Sequence, residues 1–147
     1  MDVSDRAEPD PHDEHAGFRS LVECLIEANL SRVPERAMVI RRREAAALVA
    51  TDADIAVTIQ MLPGAAHAPG TVLVHDGEDP WAEIVVRAES MALLEMAGTP
   101  LRFGLPDALT PMGRDVLGQI ARRRIRVRGL VRNLGTVRRL SILLSAR

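Results

Sequence analysis

The sequence predicts an α+β fold in which a largely antiparallel sheet is covered by helices. Residues 54–88 are rich in β-branched side chains and alternate between apolar and polar positions, which is typical of strands that bury one face. Residues 17–33 and most of residues 90–144 instead space their apolar side chains three and four apart, which is typical of amphipathic helices. Because a sheet with one apolar face needs a cover, we expect the helices to pack on it.

The composition indicates one domain with an aliphatic core. The chain has 147 residues, of which 47% are hydrophobic, and its only aromatic residues are two phenylalanines and one tryptophan. All 19 basic residues are arginines. The net charge of −1 argues against a protein that binds polyanions with its whole surface.

The two ends of the chain differ in charge and in expected order. Residues 1–16 are acidic and contain proline with few apolar side chains, which predicts a disordered tail ahead of a domain in residues 17–147. His12 and His15 in this tail are expected to be solvated, so no metal site is predicted. Cys24 is the only cysteine and no apolar run reaches the ~20 residues of a membrane span, so we expect a soluble, cytoplasmic protein.

The first predicted helix occupies residues 17–33 and ends before Pro34. Its apolar face consists of Phe18, Leu21, Val22, Leu25, Ile26 and Leu30. Cys24 is expected on the inward side, as a small core residue and not a nucleophile.

Four strands are predicted to follow, in residues 46–51, 52–62, 71–77 and 81–88. Residues 37–52 could also be a strand, a loop and a strand, or partly a helix, and extended structure is favoured from about residue 46 to 51. Their connections are short and contain Pro-Gly or Asp-Gly pairs, which predicts a meander of antiparallel strands with a hairpin turn at Asp76-Gly77. Trp81, just after Pro80, is expected to anchor the core or a sheet edge.

Two helices are predicted next, with an irregular segment between them. Ser90 is a suitable cap for the first, and Gly98 with Pro100 would end it. Thr110 is a suitable cap for the second, because Pro111 fits the first helical position.

The arginine-rich C-terminal region could be a phosphate-binding tail or part of the fold. Arg124, Arg126 and Arg128 alternate with Ile125 and Val127, which predicts a strand with one apolar face. After a turn, the apolar residues of 134–144 follow helical spacing, with Arg138 and Arg139 expected on the outer side. A tail that only bound phosphates would not need this apolar pattern, so nucleic-acid binding is the least favoured of the functions considered.

Two segments resemble the sterol carrier protein 2 (SCP2) family. The first is Val85–Glu89 followed by Leu93 and Leu94, and the second is Ile125–Gly129 followed by the helix around Leu134–Leu144. The resemblance implies a five-stranded, mainly antiparallel sheet with helices on one face. It also implies an apolar cavity between them that holds a sterol, a fatty acyl chain or another lipid, without catalytic machinery.

The residues expected to line such a cavity lie on the segments that would cover the sheet. They are Leu93, Leu94, Met96, Phe103, Leu105, Leu109, Met112, Leu117 and Ile120. No Gly-rich phosphate loop is present, and the His75-Asp76 pair is explained by a strand end and its turn, so neither an enzyme nor a cofactor is predicted.

The sequence therefore favours a non-catalytic carrier of a lipid or another apolar molecule. The alternative is a protein-interaction module of the same fold that dimerises or binds a partner without a lipid. The arginines of residues 122–128 could assist transient contact with an anionic membrane surface, or they could form a solvated outer face.

Overall fold

The computed structural model describes residues 11–98, 101–102, 105–106 and 108–145, with side chains described except at 11–15, 98, 101–102 and 105–106. The elements within these ranges are α1 (Pro11–Arg32), a 3-10 helix (Pro34–Val39), β1 (Glu44–Ala50), β2 (Ile55–Leu62), β3 (Thr71–Asp76), β4 (Ile84–Ala88), α2 (Ser90–Gly98), β5 (Leu101–Arg102), β6 (Leu105–Pro106), α3 (Pro111–Ala121), β7 (Arg126–Arg128) and α4 (Leu134–Leu144). No helix among these is both long and apolar enough to cross a membrane.

Five of the strands form one mixed sheet in the order β3-β2-β1-β4-β7. The pairs β1–β2, β2–β3 and β4–β7 are antiparallel, whereas β1 and β4 are parallel. The predicted α+β class with a five-stranded, mainly antiparallel sheet is confirmed. The short strands β5 and β6 form a separate two-stranded sheet in the segment between α2 and α3.

The predicted meander is wrong at β4. This strand does not pair with β3 but lies on the other side of β1, so residues 77–83 form a crossover loop and not a hairpin. Gly77 still makes the turn after β3, with a φ of +92° that suits glycine. A seven-residue connection can form either a hairpin loop or a crossover, so its length in the sequence does not distinguish the two.

One face of the sheet, the helix face, carries large aliphatic side chains. Val57 and Ile59 of β2 and Ile84 and Val86 of β4 are almost completely buried there, together with Leu48 of β1. Side chains of α1, α2, α3 and α4 pack in the same core cluster, so helices cover this face as predicted. Burial of these aliphatic groups stabilises the fold by about 25 cal/mol per Å² of apolar surface.

The other face, the back face, carries smaller side chains and is covered by the crossover loop. Ala47, Val49 and Val85 pack there with Ala82 of the loop. The Thr58 hydroxyl donates to the Gly77 carbonyl oxygen at 2.8 Å and accepts from the Asp79 N–H at 2.9 Å. The loop is thus fixed to the strands by hydrogen bonds as well as by packing.

Trp81 contradicts its predicted role as an anchor. Its side chain lies on the crossover loop and is 86% exposed, because the loop buries the small Ala82 against the strands instead. Sequence alone favoured burial of the larger, more apolar residue.

Helix α1 begins at Pro11, inside the segment 1–16 that the sequence assigned to a tail, and residues 1–10 lie outside the described part. Cys24 is exposed, which contradicts its predicted inward position. The buried side chains of α1 include Val22, Ile26 and Asn29, and a residue midway between 22 and 26 points away from their side of a 3.6-residue helix.

The helix starts are only partly as predicted. Thr110 caps α3 by accepting a hydrogen bond from Gly113 N–H at 3.0 Å, and Pro111 occupies the first turn, so both predictions are confirmed. At α2, Asp52 of the β1–β2 turn accepts hydrogen bonds from both the N–H and the hydroxyl of Ser90, at 2.9 and 2.8 Å. The cap therefore comes from a distant turn, which ties α2 to the sheet.

Candidate functional site

A cavity of about 470 Å³ lies between the helix face of the sheet and the four helices. Leu48, Ile84 and Val86 of the sheet form part of its wall. The remaining wall residues come from the four helices, β7 and the loops beside them: Phe18, Leu21, Val22, Leu25, Leu93, Leu94, Met96, Ala97, Leu117, Ile120, Val127, Leu130, Leu134, Val137, Leu140, Ser141, Leu144 and Ser145. Every element of the helical cover therefore contributes to one site.

The cavity wall is almost entirely apolar. Of its 21 described residues, 19 are aliphatic, Met or Phe, and the only polar side chains are those of Ser141 and Ser145. A buried water needs two to four polar partners, so two hydroxyls cannot hold the many waters that this volume would take. The chemistry of the wall favours an apolar occupant.

Four leucines, one from each helix, line the cavity and are also partly exposed. Leu21, Leu94, Leu117 and Leu134 are between 40% and 52% exposed, whereas wall residues such as Ile84 and Leu140 are almost fully buried. We call these four the mouth leucines. They are the most exposed of the described wall residues and present apolar surface at the cavity.

The size of the cavity suits a small organic molecule or a long hydrocarbon chain. Ligand sites in proteins have volumes of ~300–1,000 Å³, and this cavity falls inside that range. Each methylene moved from water into such a site gains about 0.8 kcal/mol. A chain with ten buried methylenes would thus gain about 8 kcal/mol before the costs of association are subtracted.

The C-terminal end of α4 is fixed against α1 and the 3-10 helix. Asn29, which is buried, donates from Nδ2 to the Leu143 carbonyl oxygen at 2.9 Å. Arg36 donates to the carbonyl oxygens of Ile142 and Ser145 at 3.3 and 2.7 Å. These bonds satisfy carbonyls that the helix end leaves without partners, and a cation is favoured at that end.

The N-terminal half of α4 is fixed to β1 through the buried carboxylate of Glu44. The Glu44 side chain is fully buried and accepts from Arg139 Nε at 2.7 Å, from Arg42 Nε at 2.6 Å and from the Thr136 hydroxyl at 2.8 Å. Arg139 also donates to it through Nη2. The prediction that Arg139 lies on the outer side is therefore wrong, because its partner on β1 is 95 residues away in sequence.

Burial would raise the pKa of Glu44, but the hydrogen bonds from Arg139, Arg42 and Thr136, with the charge of Arg139, outweigh it. The pKa of Glu44 is therefore lower than its usual value. The carboxylate is ionised at neutral pH and holds α4 as one rigid wall of the cavity.

The structure brings together five of the nine residues predicted for the site. Leu93, Leu94, Met96, Leu117 and Ile120 line the cavity. Leu109 and Met112 are not among the wall residues, and both are exposed at the start of α3. Phe103 lies outside the described residues, as does the side chain of Leu105. That any of the five contacts a lipid stays a prediction.

Sequence reasoning missed the contribution of α1 and α4 to the cavity. Phe18, Leu21 and Leu25 of α1 and Val137 and Leu144 of α4 all line the cavity. The apolar stripes of both helices were visible in sequence, but a stripe predicts burial and does not distinguish a filled core from a cavity wall.

No acid, base, thiol or imidazole is present among the described wall residues of the cavity. Within the described residues there is also no group of three His, Cys, Asp or Glu side chains that could hold a metal ion.

Neither a protein-family model nor a curated protein matches the chain. Among solved structures, the chain is similar to one described as "UbiJ-SCP2 Ubiquinone synthesis protein". The identity is 16%, the match covers 92% of this chain and 96% of that chain, and the TM-score is 0.43. The ligand has to be inferred from the cavity of this chain.

Proposed function

We propose that the protein binds one apolar, lipid-like molecule in this cavity and carries or presents it without chemical change. The observation that supports the proposal is the cavity of about 470 Å³, with 19 apolar residues among the 21 described ones in its wall. An empty space of this size would forfeit packing contacts along all of its walls, and an oily guest would restore them.

The wall also limits the kind of guest. None of its described residues carries a charge, and a buried carboxylate without a partner would be costly. We therefore infer that the buried part of the ligand is neutral, as in an isoprenoid, a sterol or an acyl ester. Ser141 and Ser145 could pair with a single hydroxyl or carbonyl group.

Native mass spectrometry of the purified protein, followed by organic extraction and lipid analysis, tests this proposal. We expect a monomer with a co-purifying neutral lipid. After the lipid is removed, we expect the protein to bind a fluorescent long-chain acyl methyl ester at a ratio of one to one. A delipidated protein that does not bind this probe contradicts the proposal.

A matched pair of variants places the ligand. Ala97 lines the cavity, whereas Ala28 is on the exposed side of α1. Ala97→Phe fills part of the space and should abolish most probe binding, while Ala28→Phe adds the same side chain outside and should leave binding unchanged. Equal binding by both variants would place the probe elsewhere.

The alternative is a protein-interaction module, and the exposure of the mouth leucines is the observation that favours it. In that case the opening would take an apolar partner surface or a second copy of the chain. A lipid-free dimer in the mass spectrum that becomes monomeric in Leu134→Ser would support this alternative over the carrier.

A further inference from the structure

The two most exposed large hydrophobic side chains among the described residues lie on neighbouring loops. Trp81 on the crossover loop is 86% exposed, and Val131 in the turn after β7 is 85% exposed. The loops meet at Glu83, whose carbonyl oxygen accepts from Asn133 Nδ2 at 3.2 Å. At Gly129 they approach so closely that an added Cβ would lie 2.0 Å from the same oxygen. The two loops that carry the exposed side chains are therefore in contact at their bases.

The backbone of the crossover loop is fixed on both sides of Trp81, and this holds its side chain in an exposed position. The backbone N–H of Trp81 donates to Asp79 Oδ1 at 2.8 Å, and the next residue, Ala82, is buried against the back face. Asp79 is itself held by Thr58. With anchors on both sides, the tryptophan is directed outward by a fixed backbone.

Arginines are concentrated in two segments that adjoin these loops. Residues 122–138 contain seven arginines and no acidic residue, and Arg128 and Arg132 flank Val131 with exposed side chains. Residues 41–43 add three arginines just before β1, of which Arg42 is paired with Glu44. Ala45 of β1 accepts a hydrogen bond from Glu83 N–H at 3.0 Å. The basic charge therefore comes from two separate segments of the chain.

The acidic groups of the crossover loop have partners. The Glu78 carboxylate accepts a hydrogen bond from Arg87 at 2.5 Å and lies 3.9 Å from the Arg128 guanidinium. The Asp79 carboxylate accepts a hydrogen bond from the backbone N–H of Trp81. The Glu83 carboxylate lies 3.4 Å from the Thr136 hydroxyl. Of these three carboxylates, Glu78 is the one paired with arginines, since an N–H or a hydroxyl partner does not neutralise the charge of Asp79 or Glu83.

We propose that this surface, made of Trp81, Arg128, Val131 and Arg132 and called the Trp81 edge, docks on an anionic lipid bilayer. Tryptophan suits the boundary between headgroups and hydrocarbon, because its ring is apolar and its N–H is polar. Arginines near an anionic bilayer add attraction that salt screens. A nucleic acid would use the charge, but it gives no reason for Val131 to be exposed.

Docking in this orientation would bring the bilayer close to the cavity. Leu130 and Leu134, on either side of Val131 in the chain, both line the cavity, so a bilayer docked at Val131 would lie close to one part of the cavity wall. This consequence rests on the proposed carrier function, whereas the docking itself does not.

Trp81 is the only tryptophan and the chain has no tyrosine, so its fluorescence reports directly on the proposed contact. The test adds vesicles of phosphatidylglycerol and phosphatidylcholine in equal amounts to the full chain at physiological salt. We expect the emission to shift to shorter wavelength and iodide quenching to fall. Pure phosphatidylcholine vesicles or high salt should weaken both changes. Unchanged emission with the anionic vesicles overturns the proposal.

Variants show whether this edge or another surface makes the contact. Trp81→Ala and Val131→Ser should each reduce co-sedimentation with the anionic vesicles, and Arg128→Ser with Arg132→Ser should weaken partitioning about thirtyfold. Met91→Ser is the matched control, because Met91 is 65% exposed on α2, whose first residue is bound to Asp52 at the far end of β1. Equal losses in the control and the edge variants overturn the proposal.

Two further measurements separate this proposal from its rivals. Ala97→Phe should lose the acyl probe but keep vesicle binding, so a failure of the carrier function and a failure of docking are distinguishable. A gel shift with single-stranded RNA at the same salt should show no binding. Binding of RNA without binding of vesicles would overturn the membrane assignment.

Discussion

The two faces of the sheet are closed in different ways. On the helix face, β2 presents Val57 and Ile59, and helices cover them without filling all the space. On the back face, the same strand presents Ala56 and Thr58, and the crossover loop lies directly on the strands. Hydrogen bonds are directional and fix a close fit, whereas apolar burial is not directional and tolerates a gap. The choice of side chains thus decides which face can receive a guest.

The largest expected effect comes from releasing α4 from the helix face. Glu44→Gln leaves Arg139 and Arg42 without their carboxylate, so we expect a loss of about 3 kcal/mol in the free energy of unfolding at neutral pH. Chemical denaturation measures this loss. Glu23→Gln, which removes the exposed Arg19–Glu23 pair, is the control and should change stability by less than about 1 kcal/mol.

The same variant has a pH signature. The pKa of Glu44 is lower in the folded protein than its unfolded value of 4.5, so its stabilising contribution is complete above that pH and is lost as pH falls through the folded pKa. The stability difference between wild type and Glu44→Gln should therefore be constant from neutral pH down to about 5 and then shrink. A difference that grows in acid would contradict the ionised, hydrogen-bonded carboxylate.

A smaller effect is expected from adding bulk to each face in turn. Ala47 is fully buried on the back face, so Ala47→Leu should destabilise the fold by about 1–3 kcal/mol by forcing the crossover loop away. Ala97 faces the cavity, and Ala97→Leu should be accommodated with little change in stability. Thermal unfolding of both variants compares the two faces directly. Similar losses of stability would mean that the cavity cannot accommodate the added side chain.

The smallest effect concerns the turn between α3 and β7. Arg123 has a φ of +58° just after the end of α3, where glycine is usual. Arg123→Gly relieves this strain, and we expect a gain of about 0.5 kcal/mol after the entropy of glycine is subtracted. Urea denaturation resolves this change, and a clear loss would show that the Arg123 side chain stabilises the turn.

Elements with a local signal could be predicted from the sequence. The helix at residues 134–144 and the cap at Thr110 follow from spacing and from neighbouring residues, and both are as predicted. Features that depend on distant partners could not be predicted. Arg139 has the spacing of an outer residue, yet a carboxylate on β1 draws it inward.

In the candidate site, too, local features could be predicted from the sequence and features that depend on distant parts of the chain could not. Apolar spacing identified wall residues such as Leu93 and Ile120, but it also selected Leu109 and Met112, which are exposed. Spacing reports which way a side chain points from its own helix. It does not report how far two packed layers stand apart, and that separation creates the cavity.

The crossover of residues 77–83 also bears on the order in which the chain assembles. β1, β2 and β3 pair through short connections and can form early, whereas β4 must pass across them before it pairs with β1. β7 can add only after β4, since it pairs with no other strand of this sheet. Of the four helices, the nascent three-stranded unit therefore has α1 alone to cover Leu48 and Ile59 until the later half of the chain is synthesised, and we expect the protein to be prone to aggregation during that interval.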